Sequence, residues 1–67
     1  MNLPNNLKLL RKDFGVNQTE LGKATGLTRN QIASYEQGIA EPTLCNLVKI
    51  AKYFTVTLNE LVIGTNY

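Results

Sequence analysis

The chain has 67 residues, of which 43% are hydrophobic and 18% are charged, and its formal net charge is +2. A chain this short forms one domain around a single core, here spanning residues 1–67, which excludes a two-domain enzyme. One cysteine and no histidine exclude an internal disulfide and a four-ligand zinc site, so no metal or other cofactor is expected. No apolar run approaches the ~20 residues of a membrane span, and the N-terminus lacks the apolar stretch of a signal peptide. We therefore expect a cytoplasmic protein.

The first predicted element is an amphipathic helix. Its apolar stripe consists of Leu3, Leu7, Leu10 and Phe14. The i, i+4, i+7, i+11 spacing of this stripe predicts a helix that ends near Gly15. The start of the helix stays open, because Pro4 can occupy the first helical turn or precede it.

A capping box occurs three times further along the chain. In 17–20, 28–31 and 57–60, the first side chain can accept a hydrogen bond from the fourth N–H, and the fourth side chain can reach back. An apolar pair brackets each box as a hydrophobic staple: Val16 with Leu21, Leu27 with Ile32, and Val56 with Leu61. Each match predicts a helix that starts directly after the first residue of the box.

One more helix is predicted between the second and third boxes. Pro42 stops the preceding element, and Thr43 can cap the helix that follows. Its apolar stripe comprises Leu44, Leu47, Val48, Ala51 and, one turn further, Phe54 or its neighbour. No segment has the sustained alternation of a half-buried strand. The predicted fold class is all-α, a compact bundle of five short helices.

The second and third helices form a distinctive pair. A helix over about 18–25 is followed by a short turn that Gly26 leads, and then by a helix over 29–37 that Gly38 closes. This order matches the helix-turn-helix arrangement. Gly22 lies in mid-helix, where glycine costs about 1 kcal/mol relative to alanine, so we expect it to let the third helix cross close by.

The outer face of the third helix carries hydrogen-bonding side chains. With Ile32 toward the core and 100° per residue, the outward-facing or N-terminal residues are Thr28, Arg29, Asn30, Ser34 and Gln37. Arginine can pair with guanine, asparagine or glutamine with adenine, and serine or threonine with either base. The face therefore suits the edges of DNA bases, although ordinary polar surface remains an alternative.

The run QTELGKATGLTRNQIASYEQG, residues 18–38, resembles the helix-turn-helix of the Cro/C1-repressor (XRE-type) regulators. The resemblance extends from about Leu7 to Ile63 and covers nearly the whole chain. It implies a lambda-repressor-like DNA-binding domain whose third helix lies in the major groove of double-stranded DNA. It further implies a transcriptional regulator, expected to be a repressor, that acts as a homodimer on a palindromic operator.

The resemblance also assigns roles to single residues. The base contacts are expected from Thr28, Arg29, Asn30, Gln31 and Ser34. For Gln18 the resemblance implies a contact with a phosphate or a base edge. Apart from the resemblance, we expect phosphate contacts from Asn17, Lys23 and Gln37, with an ordinary solvated face as the alternative for Lys23. A structural pair is expected between Arg11 and Glu36. For Gln31, a role as capping partner is an equally good interpretation.

A different class of function is favoured by the residues after the third helix. Ile39 and Ala40 stand where the family often has lysine or arginine, so fewer phosphate contacts are expected. The alternative is an antitoxin-like or bridging protein-interaction module with weak DNA affinity. For the DNA-binding homodimer, the C-terminal residues Val62, Ile63 and Tyr67 offer apolar surface beyond what so small a core needs, and we place the dimer contact there.

Two further side chains are expected to be structural. Tyr35 is assigned to the core rather than to a DNA contact. Cys45 is expected to be an inert, partly buried thiol, because no histidine, metal partner or second cysteine is present to activate it.

Overall fold

The computed structural model describes residues 2–64 and, within them, shows five α-helices and no β-strand. The helices are α1 (Leu3–Asp13), α2 (Gln18–Thr25), α3 (Arg29–Gln37), α4 (Leu44–Phe54) and α5 (Leu58–Val62). This arrangement confirms the predicted all-α bundle. None of these helices has the length and apolar character needed to cross a membrane.

All three predicted capping boxes are present. At the start of α2, Asn17 Oδ1 accepts from the Glu20 N–H at 2.8 Å, and Glu20 Oε1 accepts from the Asn17 N–H at 2.8 Å. Reciprocal pairs of the same kind begin α3 and α5. Helix α4 begins with a single cap, from Thr43. Helix α1 has no side-chain cap, and Pro4 lies in its first turn. Four of the five described helices therefore begin at a side chain that accepts a hydrogen bond from the N–H three residues later.

The core receives one fully buried side chain from each helix. These are Leu7, Leu21, Ile32, Ile50 and Leu61. The staple residues Val16, Leu27 and Val56 pack against this cluster from the connecting segments. Each staple therefore joins a helix start to the common core, which is how so short a chain positions five helices.

The first turn of α4 differs from the prediction. Leu44 is 66% exposed and does not belong to the buried stripe, which runs instead through Ile50, Ala51 and Phe54. Cys45 is exposed rather than partly buried, which corrects the expectation for this thiol. The reason is geometric: at 100° per residue, Cys45 lies on the side of α4 opposite to that stripe. The chain also reaches Leu44 from a surface loop.

Gly22 brings α2 and α3 into close approach. A Cβ atom at this position would lie 2.9 Å from the Leu27 carbonyl oxygen and 3.3 Å from the Arg29 backbone nitrogen. These atoms belong to the turn and to the first residue of α3, so any larger residue would push α3 away. The predicted packing role of Gly22 is confirmed.

Candidate nucleic-acid interface

Helix α3 has one face in the core and one face in solvent. Its buried residues are Ile32, Tyr35 and Glu36. On the outer side, Thr28, Arg29, Asn30 and Gln37 are exposed, and Gln31 and Ser34 are half-buried. In the part of the chain that the structure describes, the side chains of Arg29, Asn30, Ser34 and Gln37 make no hydrogen bond or salt bridge. Their polar groups are available to an external ligand.

The capping box at the N-terminus of α3 engages one of the predicted base readers. Thr28 Oγ1 accepts from the Gln31 N–H at 3.0 Å, and Gln31 Oε1 accepts from the Thr28 N–H at 2.9 Å. The Gln31 oxygen thus serves the cap, and only its Nε2 group remains to donate elsewhere. Because the first N–H groups of a helix have no intrahelical acceptor, the start of α3 also favours negative charge.

The predicted pair Arg11 and Glu36 is in direct contact. Arg11 Nε lies 2.6 Å from Glu36 Oε2, and Arg11 Nη2 lies 3.1 Å from Glu36 Oε1. Arg11 Nη1 also donates to the Val16 carbonyl oxygen at 3.0 Å. The hydrogen bond to Glu36 raises the pKa of Arg11 above its ordinary value. These contacts hold the C-terminal part of α3 against α1 and against the loop that precedes α2.

The predicted phosphate-contacting residues lie in two different environments. Lys23 and Gln37 are exposed. Gln18 is half-buried, and its Nε2 group donates to Glu36 Oε1 at 3.2 Å, a contact that no local sequence pattern predicted. The side-chain oxygen of Asn17 is occupied by the α2 cap. Both Asn17 and Gln18 can still present other groups, including the backbone N–H of Gln18 in the first turn of α2.

An acidic residue borders the outer face of α3. Glu41 lies in the loop between α3 and α4 and lines a shallow depression together with Asn30, Gln31 and Ser34. Ile39 in the same loop is 74% exposed. No local sequence pattern assigned Glu41 to this face, although Glu41 lies only three residues after Gly38. The edge of the outer face therefore carries a negative charge, and the same loop exposes an apolar side chain.

Tyr35 connects α3 to α4 from the inside. Its ring belongs to the core, and its hydroxyl oxygen accepts from Asn46 Nδ2 at 3.1 Å. The expectation that Tyr35 is a core residue is confirmed, and its hydroxyl group is satisfied within the protein.

The predicted dimer contact is described only in part. Val62 is half-buried and Ile63 is exposed. The Val62 carbonyl oxygen accepts from the Asn2 N–H at 2.8 Å, which joins the two ends of the described chain. Tyr67 lies outside the described residues.

Comparison with known sequences identifies a family and several relatives. A family model described as helix-turn-helix matches residues 7–61. The chain is 36% identical over 59 residues to the HTH-type transcriptional regulator YgzD of Bacillus subtilis, covering 88% of this chain and 89% of the relative. It is 36% identical over 53 residues to the CTXphi transcriptional repressor RstR of Vibrio cholerae, covering 79% of this chain and 48% of the relative.

Solved structures share the arrangement of the five helices. The P22 c2 repressor in complex with a synthetic operator superposes with a TM-score of 0.90 at 25% identity, covering 94% of this chain and 96% of that one. The restriction-modification controller protein C.AhdI of Aeromonas hydrophila gives a TM-score of 0.84 at 28% identity, covering 90% and 91%. The fold is that of a lambda-repressor-like domain.

Proposed function

This chain belongs to the Cro/C1-repressor (XRE-type) family of helix-turn-helix transcriptional regulators, and we propose that it is a repressor that binds a palindromic operator as a homodimer. It is a DNA-binding regulator and not an enzyme. The observation that carries the proposal is the division of α3 into a face locked into the core and a polar face without intramolecular partners. Because the target is DNA, we place the protein in the cytoplasm.

In the proposed complex, α3 enters the major groove with its N-terminal end. Arg29 donates two hydrogen bonds to guanine, and Asn30 makes a bidentate contact with adenine. Thr28, Ser34 and the free Nε2 group of Gln31 add further base contacts. The phosphates on either side are bound by Asn17, Gln18, Lys23 and Gln37. The Arg11–Glu36 pair touches no DNA in this scheme and keeps α3 at a constant angle to α1 and α2.

We infer a homodimer because one recognition helix contacts few base pairs. A single recognition helix reads only a few base pairs, whereas two copies related by a two-fold axis double both the contacts and the specificity on a palindrome. We place the contact between protomers at Val62, Ile63 and Tyr67. The P22 c2 repressor bound to a synthetic operator supports the DNA-binding role, because this chain shares its fold throughout.

The test is selection of a binding sequence from random double-stranded DNA. We expect a palindromic consensus whose half-sites are about one helical turn apart. Arg29→Ala and Asn30→Ala should each relax the base preference at one position per half-site. Asn5→Ala, at an exposed asparagine of α1, is the matched control and should leave the consensus unchanged. Absence of any consensus, or an intact preference in both α3 variants, would exclude base reading by α3.

Sedimentation tests the assembly separately. We expect two protomers on each selected duplex and a monomer–dimer equilibrium that Ile63→Asp weakens, because Ile63 is exposed at the predicted contact. A single protomer bound to each operator would rule out the proposed homodimer and leave base reading untouched.

One observation favours a second candidate function. The loop after α3 lacks lysine and arginine and exposes Ile39, an arrangement better suited to a protein surface than to a phosphate backbone. An antitoxin-like or bridging module with weak DNA affinity would yield no DNA consensus in the selection. The same experiment therefore decides between the two functions.

A further inference from the structure

Helix α1 separates two sides of the molecule. On one side it meets α3, where Arg11 contacts Glu36, and a Cβ placed on Gly38 would lie 3.5 Å from Cγ of Pro4. On the other side it meets α5, where Asn6 Nδ2 donates to the Leu61 carbonyl oxygen at 3.1 Å. The groove between α1 and α5 is thus separated from the outer face of α3 by the width of α1.

This α1–α5 groove has an apolar floor that no described segment covers. Its lining residues include Asn6, Leu9, Leu10, Asp13, Val56 and Glu60. Leu10 and Val56 are half-buried and pack against the core below, whereas Leu9 is 53% exposed at the rim. An exposed leucine beside two half-buried apolar side chains offers surface that a second apolar group could remove from water.

The groove is also acidic. Asp13 and Glu60 are exposed on its two sides, and no lysine or arginine lines it. Within residues 2–64 the only salt bridge joins Arg11 to Glu36, so neither groove carboxylate has a cationic partner there. Glu60 uses Oε1 to accept from the Thr57 N–H at 2.8 Å and keeps Oε2 for another donor. The lysines of α1, Lys8 and Lys12, lie on other sides of that helix at 100° per residue.

We propose that the α1–α5 groove binds a basic amphipathic helix of a partner protein. The apolar stripe of that helix would cover Leu9, Leu10 and Val56, and lysine or arginine side chains beside the stripe would pair with Asp13 and Glu60. Such helix-in-groove recognition uses apolar anchors at i, i+3, i+4 and i+7. This interaction goes beyond DNA binding, because the groove and the outer face of α3 lie on opposite sides of α1.

The charges of the groove exclude two other occupants. DNA is repelled, because two carboxylates would face its phosphates. A second copy packed groove to groove about a two-fold axis would bring two copies each of Asp13 and Glu60 into one interface whose lining has no lysine or arginine. A basic partner satisfies both carboxylates and the apolar floor together.

The test uses a display library of helical peptides, about 18 residues long, selected against the full chain. The peptides carry leucine at i, i+3, i+4 and i+7, and the positions beside this stripe are randomised among lysine, glutamate, glutamine and serine. We expect enrichment of lysine. Leu9→Ser should weaken binding of the selected peptide roughly tenfold, and Asp13→Lys should weaken it and shift the selection toward glutamate.

Two matched variants serve as controls. Leu44→Ser removes a leucine of α4 that is 66% exposed, and Glu41→Lys reverses an exposed carboxylate outside the groove. Neither should change peptide affinity, and thermal melting should show that all four variants are folded. The proposal is overturned if no peptide is enriched, if the selection shows no preference for lysine, or if the control variants weaken binding as much as Leu9→Ser does.

Discussion

The guanidinium group of Arg11 in α1 donates two hydrogen bonds, of 2.6 and 3.1 Å, to the buried carboxylate of Glu36 in α3. The Glu36 side chain is only 2% exposed, so its charge depends on this partner and on the carboxamide of Gln18. The pair therefore connects the framework helix α1 to the last turn of the helix that presents the candidate base readers.

Removal of the Arg11 guanidinium group should destabilise the protein. Arg11→Ala leaves the buried carboxylate of Glu36 without its counter-ion, and we expect the free energy of unfolding to fall by about 3 kcal/mol. Urea denaturation measures this loss. Lys12→Ala, at the neighbouring exposed cation, should change stability by less than about 0.5 kcal/mol. The double variant Arg11→Met with Glu36→Gln should lose less stability than Arg11→Met and Glu36→Gln lose separately when their losses are added. Strict additivity of the two losses would contradict an energetic coupling between the residues.

Variants at the N-caps of α3 and α4 distinguish an effect on stability from an effect on DNA recognition. Thr28 and Thr43 each accept a hydrogen bond from an N–H three residues later, at 3.0 and 3.2 Å. Thr28→Ala and Thr43→Ala should each lower the free energy of unfolding by about 1 kcal/mol. Only Thr28→Ala should also weaken binding to the selected DNA consensus, because Thr43 lies outside the proposed interface. Equal affinities of the two variants would argue against a DNA contact by Thr28.

Arg29 and Lys23 should differ in how they contribute to affinity. Arg29→Ala should cost about 1–3 kcal/mol on the consensus and relax the preference at one base pair. Lys23→Ala should weaken binding to all sequences alike and reduce the slope of log affinity against log salt by about 1. Titrations of consensus and scrambled duplexes at several salt concentrations distinguish the two patterns. A uniform loss for Arg29→Ala would reassign Arg29 to the phosphates.

Gly22→Ala tests the close approach of α2 and α3. Helix propensity alone predicts a gain of about 1 kcal/mol, because alanine is favoured over glycine in a helix interior. The new Cβ would lie 2.9 Å from the Leu27 carbonyl oxygen, a backbone atom that cannot move without shifting the turn. We therefore expect a net loss of about 1–3 kcal/mol in urea denaturation. A more stable Gly22→Ala variant would show that the turn between α2 and α3 can shift to admit the new Cβ at little cost in free energy.

The sequence by itself determined where the helices of this protein lie and to which family the protein belongs. Capping boxes, staples and i, i+4 stripes connect residues at most five positions apart, so their outcome depends little on the rest of the chain. This is why the starts of α2, α3, α4 and α5 were predicted correctly. The polar outer face of α3 follows from the same local periodicity once Ile32 is assigned to the core.

Only the tertiary structure decided where these helices meet. The hydrogen bond from Gln18 to Glu36 joins residues 18 positions apart, and Glu41 borders the α3 face only because of the path of its loop. The exposure of Leu44 and Cys45 depends on which stripe of α4 the other helices cover. The α1–α5 groove likewise exists only when two distant segments pack together. Local patterns specify each helix, whereas the surfaces between helices depend on long-range packing that no short pattern records.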